Sequence, residues 1–414
     1  MWNCLKYLLL LSVLIFSTSI SVAQYVTIGT GTGTQNKLFH TLYEDARSIA
    51  TFSNTELTGP SLGLNVGDTI CSIGWYVQSL GVQAMYRANI KIREAGAPVT
   101  VWSGTLGPKT GWNDILLDVP YVRQGSGNLI VEYCYDNCES TSNFLVRKTN
   151  VNSTNQYDYS DNNNGCSLNG LITHNGRPNM RFGLSVPNTT YVNETFCINN
   201  GIGTPTILSS SSTLTFNTSI SGFTYKGSYN GSHYFISTSN KFWLEADLIC
   251  RQNGGHLAHI ANVTENNFVK NSVVNTSSWI GYYRNCNNVS YPANTAFEWT
   301  DGTIGSYNNW DAGQPNNGTM YGENHTVFYN SGVWHDWYFN NSFPYVLEIE
   351  DTYLWSTGAT TSSISVNPLV STTYWVDHSL GMQTTREYFI LVAAVGDGCT
   401  DPIACNYDAT AVCD

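Results

Sequence analysis

Charge is scarce in this chain. Asp, Glu, Lys and Arg make up 12% of its 414 residues, and the acids outnumber the bases, so the formal net charge is −12. Nucleic-acid binding needs a basic face to meet the phosphates, so no nucleic-acid partner is expected. The same balance disfavours docking on anionic lipid. The length exceeds that of one ordinary domain and predicts about two to four domains.

Long apolar runs are missing except near the N-terminus. There, Lys6 precedes the apolar residues 8–16, and Ser21 and Ala23 form a small-x-small cleavage site before Gln24. This order is typical of a secretion signal, so residues 1–23 are predicted to be a signal peptide. The apolar run is too short to span a bilayer comfortably. We therefore expect no transmembrane segment and a protein that is secreted or held at the outer cell surface.

Several motifs of catalysis and metal binding are also absent. The sequence contains no H-E-x-x-H helix, no Walker loop and no CxxC pair. These absences favour a binding protein over an enzyme and argue against a zinc ribbon. A catalytic domain beyond residue 414 is left open, and the chain would then be the targeting part of a longer secreted enzyme.

The cysteines indicate disulfides. An even number remains after the signal peptide, which in an exported chain is typical of a disulfide framework, although sequence does not assign the pairs. The ten are Cys71, Cys134, Cys138, Cys166, Cys197, Cys250, Cys286, Cys399, Cys405 and Cys413.

Hydrophobic patterning divides the chain. Residues 24–187 hold short β-branched or alternating runs between Gly, Pro and Asn turns, which predicts an all-β, jelly-roll-like sandwich. Residues 188–220 are rich in Ser, Thr and Asn, as in a linker or a few irregular strands. Residues 221–350 contain helical periods at 241–250 and 262–274 among strands and long polar loops, which predicts an α+β domain. Residues 351–397 return to β patterning, and residues 398–414 form a short cysteine-bearing module.

A cluster of oxygen-bearing side chains lies in the α+β segment. Gln314, Asn316, Glu323 and Asp336 occupy two short loop segments, with Pro315 inside the first. Oxygen ligands brought together from loops are what a hard cation such as calcium needs. A calcium ion with open coordination positions could hold two neighbouring hydroxyls of a sugar.

An ordered series of motifs runs through residues 221–350: LICRQNGGHLAHI, WIGYY, FEWTDG, YNNW, QPN, GENHTV, VWHDW and YVLEI. This series resembles the C-type lectin-like domain and covers about a third of the chain. The resemblance implies fold landmarks at Trp279, Gly281, Trp299, Trp310 and Trp334. It also implies that Trp310 and Trp334 support the core rather than stack on sugars.

The resemblance assigns roles to the oxygen cluster. It implies calcium ligands at Gln314, Asn316, Glu323 and Asp336, with Pro315 as a cis proline that aims its neighbours at the ion. The same four residues and His335 would bind the carbohydrate. The expected partners are extracellular glycans or glycoproteins.

The sequence departs from the family pattern in three ways, which affect the expected calcium affinity and the disulfides. His335 replaces an asparagine ligand, and Gln314 replaces an acid, which leaves two formal charges. Because calcium affinity follows ligand charge and number, weak binding is expected. His325 and Leu347 stand where the family has cysteines, so Cys250 is either free or joined to Cys286.

Two alternatives for this segment stay open. Domains of this fold also serve as calcium-independent protein–protein adhesion modules. A zinc site is the second alternative, because Glu323 and His325 alternate on a strand with His335 and Asp336 nearby, and imidazole with carboxylate suits zinc.

The flanking segments resemble parts of secreted multidomain surface proteins of Bacteroidetes-type bacteria. Residues 126–137 are similar to a strand of their N-terminal β-sandwich, and residues 352–376 resemble their Ig-like repeats. Residues 398–414 resemble a cysteine-containing repeat, truncated here. The predicted protein is thus an adhesin-like lectin with the order signal peptide, β-sandwich, lectin-like domain, Ig-like segment and cysteine repeat.

Overall fold

The computed structural model of the chain describes residues 25–58, 63–161, 164–184, 189–199, 202–203, 206–212, 214–284, 297–303, 305–318, 323–338 and 340–394. The predicted signal peptide (1–23) and cysteine repeat (398–414) lie outside these residues. Within them, no helix combines the length and the apolarity that a bilayer crossing requires.

The N-terminal region forms one branched antiparallel sheet of eleven strands. The strands are β1 (Tyr25–Ile28), β2 (Gly33–Gln35), β3 (Asp45–Phe52), β4 (Thr69–Ser79), β5 (Met85–Arg93), β6 (Val99–Leu106), β7 (Gly111–Val122), β8 (Leu129–Asp136), β9 (Leu145–Ser160), β10 (Ile172–Pro178) and β11 (Met180–Gly183). The main path is β1-β11-β4-β9-β3-β8-β5-β6. A helix of one turn, α1 (Asn54–Leu57), and a 3₁₀ turn (Gly165–Ser167) interrupt the strands. The predicted β-rich character is confirmed, and the jelly-roll-like sandwich stays a prediction.

The period of two in the sequence explains these strands. In β5, Ala88, Ile90 and Ile92 are buried while the residues between them are partly exposed. Alternation of this kind places one face of a strand on a core and the other toward water. That core also contains Trp75 and Tyr133, whose rings meet edge to face with centroids 5.6 Å apart.

The lectin-like segment is α+β, as predicted. Its strands are β15 (Phe223–Tyr229), β16 (Ser232–Ser237), β17 (His256–Leu257), β18 (Ser278–Arg284), β19 (Phe297–Trp299), β20 (His325–Phe328) and β21 (Trp334–Trp337). The last four form a sheet in the order β19-β18-β20-β21. Helix α2 (Trp243–Gln252) ends before Gly254, whose φ of 81° suits only glycine.

The second predicted helix is shorter than expected. Helix α3 (Val263–Phe268) begins at Asn262, whose side chain accepts hydrogen bonds from the N–H groups of Thr264 and Glu265. The following turn (Val269–Val273) is of the π type, since the N–H of Val274 donates to the carbonyl oxygen of Val269. The apolar stripe therefore continues across a wider turn than a regular helix has.

An eight-stranded sheet crosses the predicted domain boundaries. It contains β12 (Thr189–Asn199), β13 (Ile202–Gly203), β22 (Val346–Trp355), β24 (Thr372–Leu380) and β25 (Gln383–Ala394) together with β15, β16 and β17. The first half of β22 pairs with β16 and the second half with β24, so one strand joins the lectin-like segment to the C-terminal strands.

The predicted linker (188–220) also contributes strands. Strand β12 pairs in parallel with β25, and β14 (Thr206–Ser209) pairs with β23 (Ser363–Val366). These partner strands are far away in sequence, and they form hydrogen bonds with the backbone N–H and C=O groups of the segment. The Ig-like character of residues 351–397 stays a prediction.

The cysteines pair only in part. Cys134 and Cys166 form a disulfide with Cα atoms 5.1 Å apart, which confirms the disulfide prediction for this pair. Cys71 and Cys250 are free and buried. Of the two possibilities left open for Cys250, the free thiol is the correct one.

Helix α2 packs between the N-terminal and lectin-like cores. Leu248 lies in the N-terminal core, while Tyr86 of β5 lies in the lectin-like core. The hydroxyl of Tyr86 donates to the carboxylate of Asp247 at 2.8 Å, and both side chains are buried. Beside this bond, Arg87 contacts Glu298 at 3.0 Å. Polar contacts within a shared apolar interface hold the two regions against each other.

We expect Tyr86→Phe to lower the free energy of unfolding by about 1–3 kcal/mol, because the buried carboxylate of Asp247 loses a donor. Chemical denaturation of the full chain measures this. Tyr353→Phe is the matched control, because its hydroxyl makes only an exposed 3.4 Å contact with Asp351. Equal changes in the two variants would mean that the buried hydrogen bond does not contribute.

Candidate functional site

Aromatic residues support the candidate loops. Trp279, Trp299 and Trp334 are fully buried, and Trp310 is half-buried in the same cluster as Trp299 and Trp334. The indole N–H of Trp334 donates to the side chain of Asn266 at 2.9 Å. At Gly281 a Cβ atom would lie 2.4 Å from a backbone oxygen, so the strand tolerates only glycine there. These residues lie beneath the loops that carry the oxygen-bearing side chains.

The first loop leaves the core at Trp310. The N–H of Asp311 donates to the carbonyl oxygen of Trp334 at 3.0 Å, and the N–H of Gln314 donates to Asp311 at 2.9 Å. The Gln314–Pro315 peptide bond is cis, and Asn317 has a positive φ of 51°. Asparagine tolerates this left-handed conformation better than most residues. The chain therefore makes a compact turn that returns toward β21.

Asp336 shapes this turn from the neighbouring strand. Its two carboxylate oxygens accept the N–H groups of Asn316 at 2.9 Å and Asn317 at 2.7 Å. The side chain is 1% exposed, and Arg284 lies 3.9 Å away. A buried carboxylate needs such donors to remain charged. Arg284 was not among the predicted site residues, because its position at the end of β18 carries no local sequence signal.

Glu323 reaches the same turn from the second loop segment. Its Oε2 accepts the N–H of Gly318 at 2.7 Å, while its own N–H donates to the side chain of Asn317 at 2.7 Å. Burial raises the pKa of Glu323, the bond from Gly318 opposes this, and the nearby charge of Asp336 raises it further. The two carboxylates are thus close enough to repel each other.

His335 orients Gln314. The amide nitrogen of Gln314 lies 3.2 Å from Nδ1 of His335, and Nε2 of the ring lies 3.0 Å from the carboxylate of Asp311. Since an amide nitrogen can only donate, Nδ1 accepts and Nε2 carries the proton. Tyr329 packs on the ring with centroids 4.1 Å apart. Asp311 was not among the predicted site residues, although it directly follows Trp310.

The turn presents side-chain oxygens of the kind that a hard cation takes. Oε1 of Gln314 is buried and has no hydrogen-bond partner among the residues that the structure describes. Oδ1 of Asn316 and Oε2 of Glu323 converge beside Gly318, where an added Cβ would lie 2.7 and 3.2 Å from them. Carboxylate and amide oxygens are the donors that calcium takes. Within the described residues, no group of three or more His, Cys, Asp or Glu is placed to hold a metal, so an ion at this turn would depend on the amide oxygens as well.

The zinc alternative is not supported. His325 is buried with its ring centroid 4.2 Å from that of Trp243, so it faces the core. A histidine in this position cannot join Glu323, His335 and Asp336 around one ion.

Comparison with known proteins identifies the segment that carries this site. Residues 239–346 match the family model of the Lectin C-type domain. This segment is a C-type lectin-like domain. It contains both loops of the candidate site and all five landmark residues.

Three curated relatives match the same part of the chain. Mouse C-type lectin domain family 10 member A is 32% identical over 128 residues, which cover 30% of this chain and 40% of the relative. Rat asialoglycoprotein receptor 1 is 31% identical over 128 residues, which cover 30% and 42%. Mouse low affinity immunoglobulin epsilon Fc receptor is 32% identical over 103 residues, which cover 25% and 29%. The chain spans less than half the length of each relative.

Solved structures of lectin domains match as well. The carbohydrate-recognition domains of the mouse and human scavenger receptor C-type lectin are 26% and 25% identical, with TM-scores of 0.27 and 0.28. The matches cover 30% and 32% of this chain and 95% and 98% of those chains. The relatives named above are mammalian, so the expected resemblance to Bacteroidetes-type surface proteins is not shown by them.

We expect Asp336→Ala to lower the free energy of unfolding by about 1.5–3 kcal/mol, because the N–H groups of Asn316 and Asn317 lose a charged acceptor. Chemical denaturation in the presence of a chelator measures the effect without bound calcium. Asp311→Ala is the control, because the Asp311 side chain is 46% exposed. A loss no larger than that of the control would show that Asp336 does not hold the turn.

Proposed function

We propose that this protein is a secreted or surface-attached lectin that binds extracellular glycans or glycoproteins through a calcium ion in the loops around residues 314–318 and 323–336. The observation that carries the proposal is the position of the Asn316 and Glu323 oxygens beside Gly318, together with a buried oxygen of Gln314 that has no hydrogen-bond partner in the described part of the chain. The name of the mouse relative, C-type lectin domain family 10 member A, supports a carbohydrate ligand. Recognition, and not catalysis, is the proposed activity.

Each residue of the proposed site has a separate role. Gln314, Asn316, Glu323 and Asp336 would hold the calcium ion, which when bound offers open coordination positions to neighbouring sugar hydroxyls. His335 takes the amide N–H of Gln314, so the amide oxygen remains as the ligand atom. The charge of Asp336 is shared with two backbone N–H groups and with Arg284. Calcium binding is therefore weak in this proposal.

The arrangement at Asp336 also favours a second candidate function. The guanidinium of Arg284 already lies 3.9 Å from the carboxylate and offsets part of its charge without a metal. The loops could then present the same polar surface to a protein partner in a calcium-independent adhesion module. A role as the targeting part of a longer secreted enzyme stays a prediction.

Glu323→Gln separates these two functions. The change keeps the shape of the side chain and removes one of the two formal charges, so we expect the calcium dissociation constant to rise about tenfold or more. Calorimetric titration of the full chain measures the constant, and a glycan array with and without a chelator measures the consequence.

Glu245→Gln is the matched control, because Glu245 is a partly exposed residue of α2, outside the candidate loops, and its ion pair with Lys241 is long at 3.7 Å. We expect it to leave calcium and glycan binding unchanged. If glycan binding survives both Glu323→Gln and the chelator, calcium-mediated recognition is wrong. Retained binding to a glycoprotein whose glycans have been removed would support the adhesion module.

As the pH is lowered, calcium affinity should begin to decrease at a higher pH than it would if the ligand were an exposed glutamate. Burial raises the pKa of Glu323, so the carboxylate takes up a proton before the pH reaches the usual value of about 4.3. Protons and the cation compete for the same oxygens, so affinity decreases as pH falls through the raised pKa. Titrations at successive pH values measure this. An affinity that stays constant down to about pH 4.3 would contradict the role of Glu323 as a ligand.

A further inference from the structure

We propose a second carbohydrate site, on the N-terminal sheet, that takes acidic polysaccharides of the polyuronate class. The site is the edge formed by Lys37, Tyr157, Tyr159 and His174, called here the tyrosine edge. It is separate from the calcium loops in sequence and chemistry. The proposal goes beyond the lectin function and does not depend on it.

Two parallel tyrosine rings form the surface of this edge. Tyr157 and Tyr159 lie on β9, two residues apart, so their side chains leave the same face of the strand. Their ring centroids are 5.9 Å apart and their planes differ by 17°. Both are half-buried, and Tyr43 packs on Tyr159 at 4.1 Å. Rigid rings with polar hydroxyls offer apolar contact to the C–H face of a sugar at a low entropy cost.

Positive charge lies over these rings without a carboxylate partner. The ammonium of Lys37 is 4.3 Å from the centroid of Tyr157 and 5.8 Å from that of Tyr159. Cation–π attraction holds it there. The side chain of Lys148 passes beside Gly176, two residues after His174. Within the described residues, neither lysine has an acidic oxygen within 4.0 Å. In a chain of net charge −12, two unpaired lysines on one edge complement an anion.

His174 adds a neutral donor. The N–H of Gly176 donates to its Nδ1 at 3.2 Å, so the proton of the neutral ring is on Nε2. Burial, followed by the charges of Lys37 and Lys148, lowers the pKa of His174 to about 4, which keeps the ring neutral at pH 7. Its ring meets that of Tyr157 edge to face at 5.0 Å. The edge therefore combines ring surface, two cations and an N–H donor, as a sugar with a carboxylate requires.

Other acids near the edge are already engaged. The carboxylate of Asp158 accepts the N–H groups of Gly170 and Tyr159, and that of Asp161 accepts the N–H of Glu44. Among the described residues, neither carboxylate forms an ion pair with Lys37 or Lys148, so both ammonium groups can meet an external anion. A neutral glycan would gain the ring contacts and lose the charge contacts, so the edge selects acidic sugars.

Binding of the full chain to immobilised polygalacturonate tests the proposal, with a chelator present throughout so that the calcium site does not contribute. We expect binding that weakens with salt, and no comparable binding to a neutral β-glucan. Lys37→Ala and Tyr157→Ala should each raise the dissociation constant about tenfold. Tyr157→Phe should retain most of the affinity because it keeps the ring.

Lys109→Ala is the matched charge control, because Lys109 is exposed in the N-terminal region and its ammonium lies beside Met382 instead of a tyrosine ring. Glu323→Gln should not change this binding, which distinguishes the tyrosine edge from the calcium site. No binding to polygalacturonate would overturn the proposal. So would equal losses in Lys37→Ala and Lys109→Ala, or equal affinity for single-stranded DNA, because each would indicate a non-specific anion surface.

Discussion

The carboxylate of Asp336 accepts the N–H groups of Asn316 and Asn317, and the geometry of the candidate site depends on these two bonds. They fix a turn of polar residues whose backbone has few other partners. A loop without regular secondary structure keeps one conformation only when such groups are satisfied. Since Asp336 lies on β21 beside the buried Trp334, the tryptophan core determines where the turn sits.

The same bonds limit the charge available to an ion. Of the two carboxylates, Asp336 is shared with the turn and Arg284, and Glu323 has a raised pKa because it is buried. The amide oxygens of Gln314 and Asn316 complete the set without adding charge. In the proposed lectin, such a site would hold calcium weakly, and its recognition of sugars would depend on the positions of the amides more than on charge.

The lectin-like domain shares a strand and a core contact with the neighbouring regions. Strand β22 belongs to it and to the C-terminal strands, and α2 contributes Leu248 to the N-terminal core. The bond between Tyr86 and Asp247 adds a buried polar contact between regions. If the tyrosine edge binds acidic polysaccharide, the chain carries two carbohydrate sites on regions that are packed together. Simultaneous engagement of two sites raises the effective affinity for one polymer.

The sequence by itself determined the β-rich N-terminal region, the helix at α2 and the grouping of Gln314, Asn316, Glu323 and Asp336, because local periodicity and the order of the lectin motifs carry that information. Only the tertiary structure decided the roles of Arg284 and Asp311, and that β22 runs through a predicted boundary. It also placed His325 in the core and gave the predicted linker strand partners. These outcomes depend on contacts between residues far apart in the chain. A local pattern of hydrophobic and polar residues does not predict such contacts.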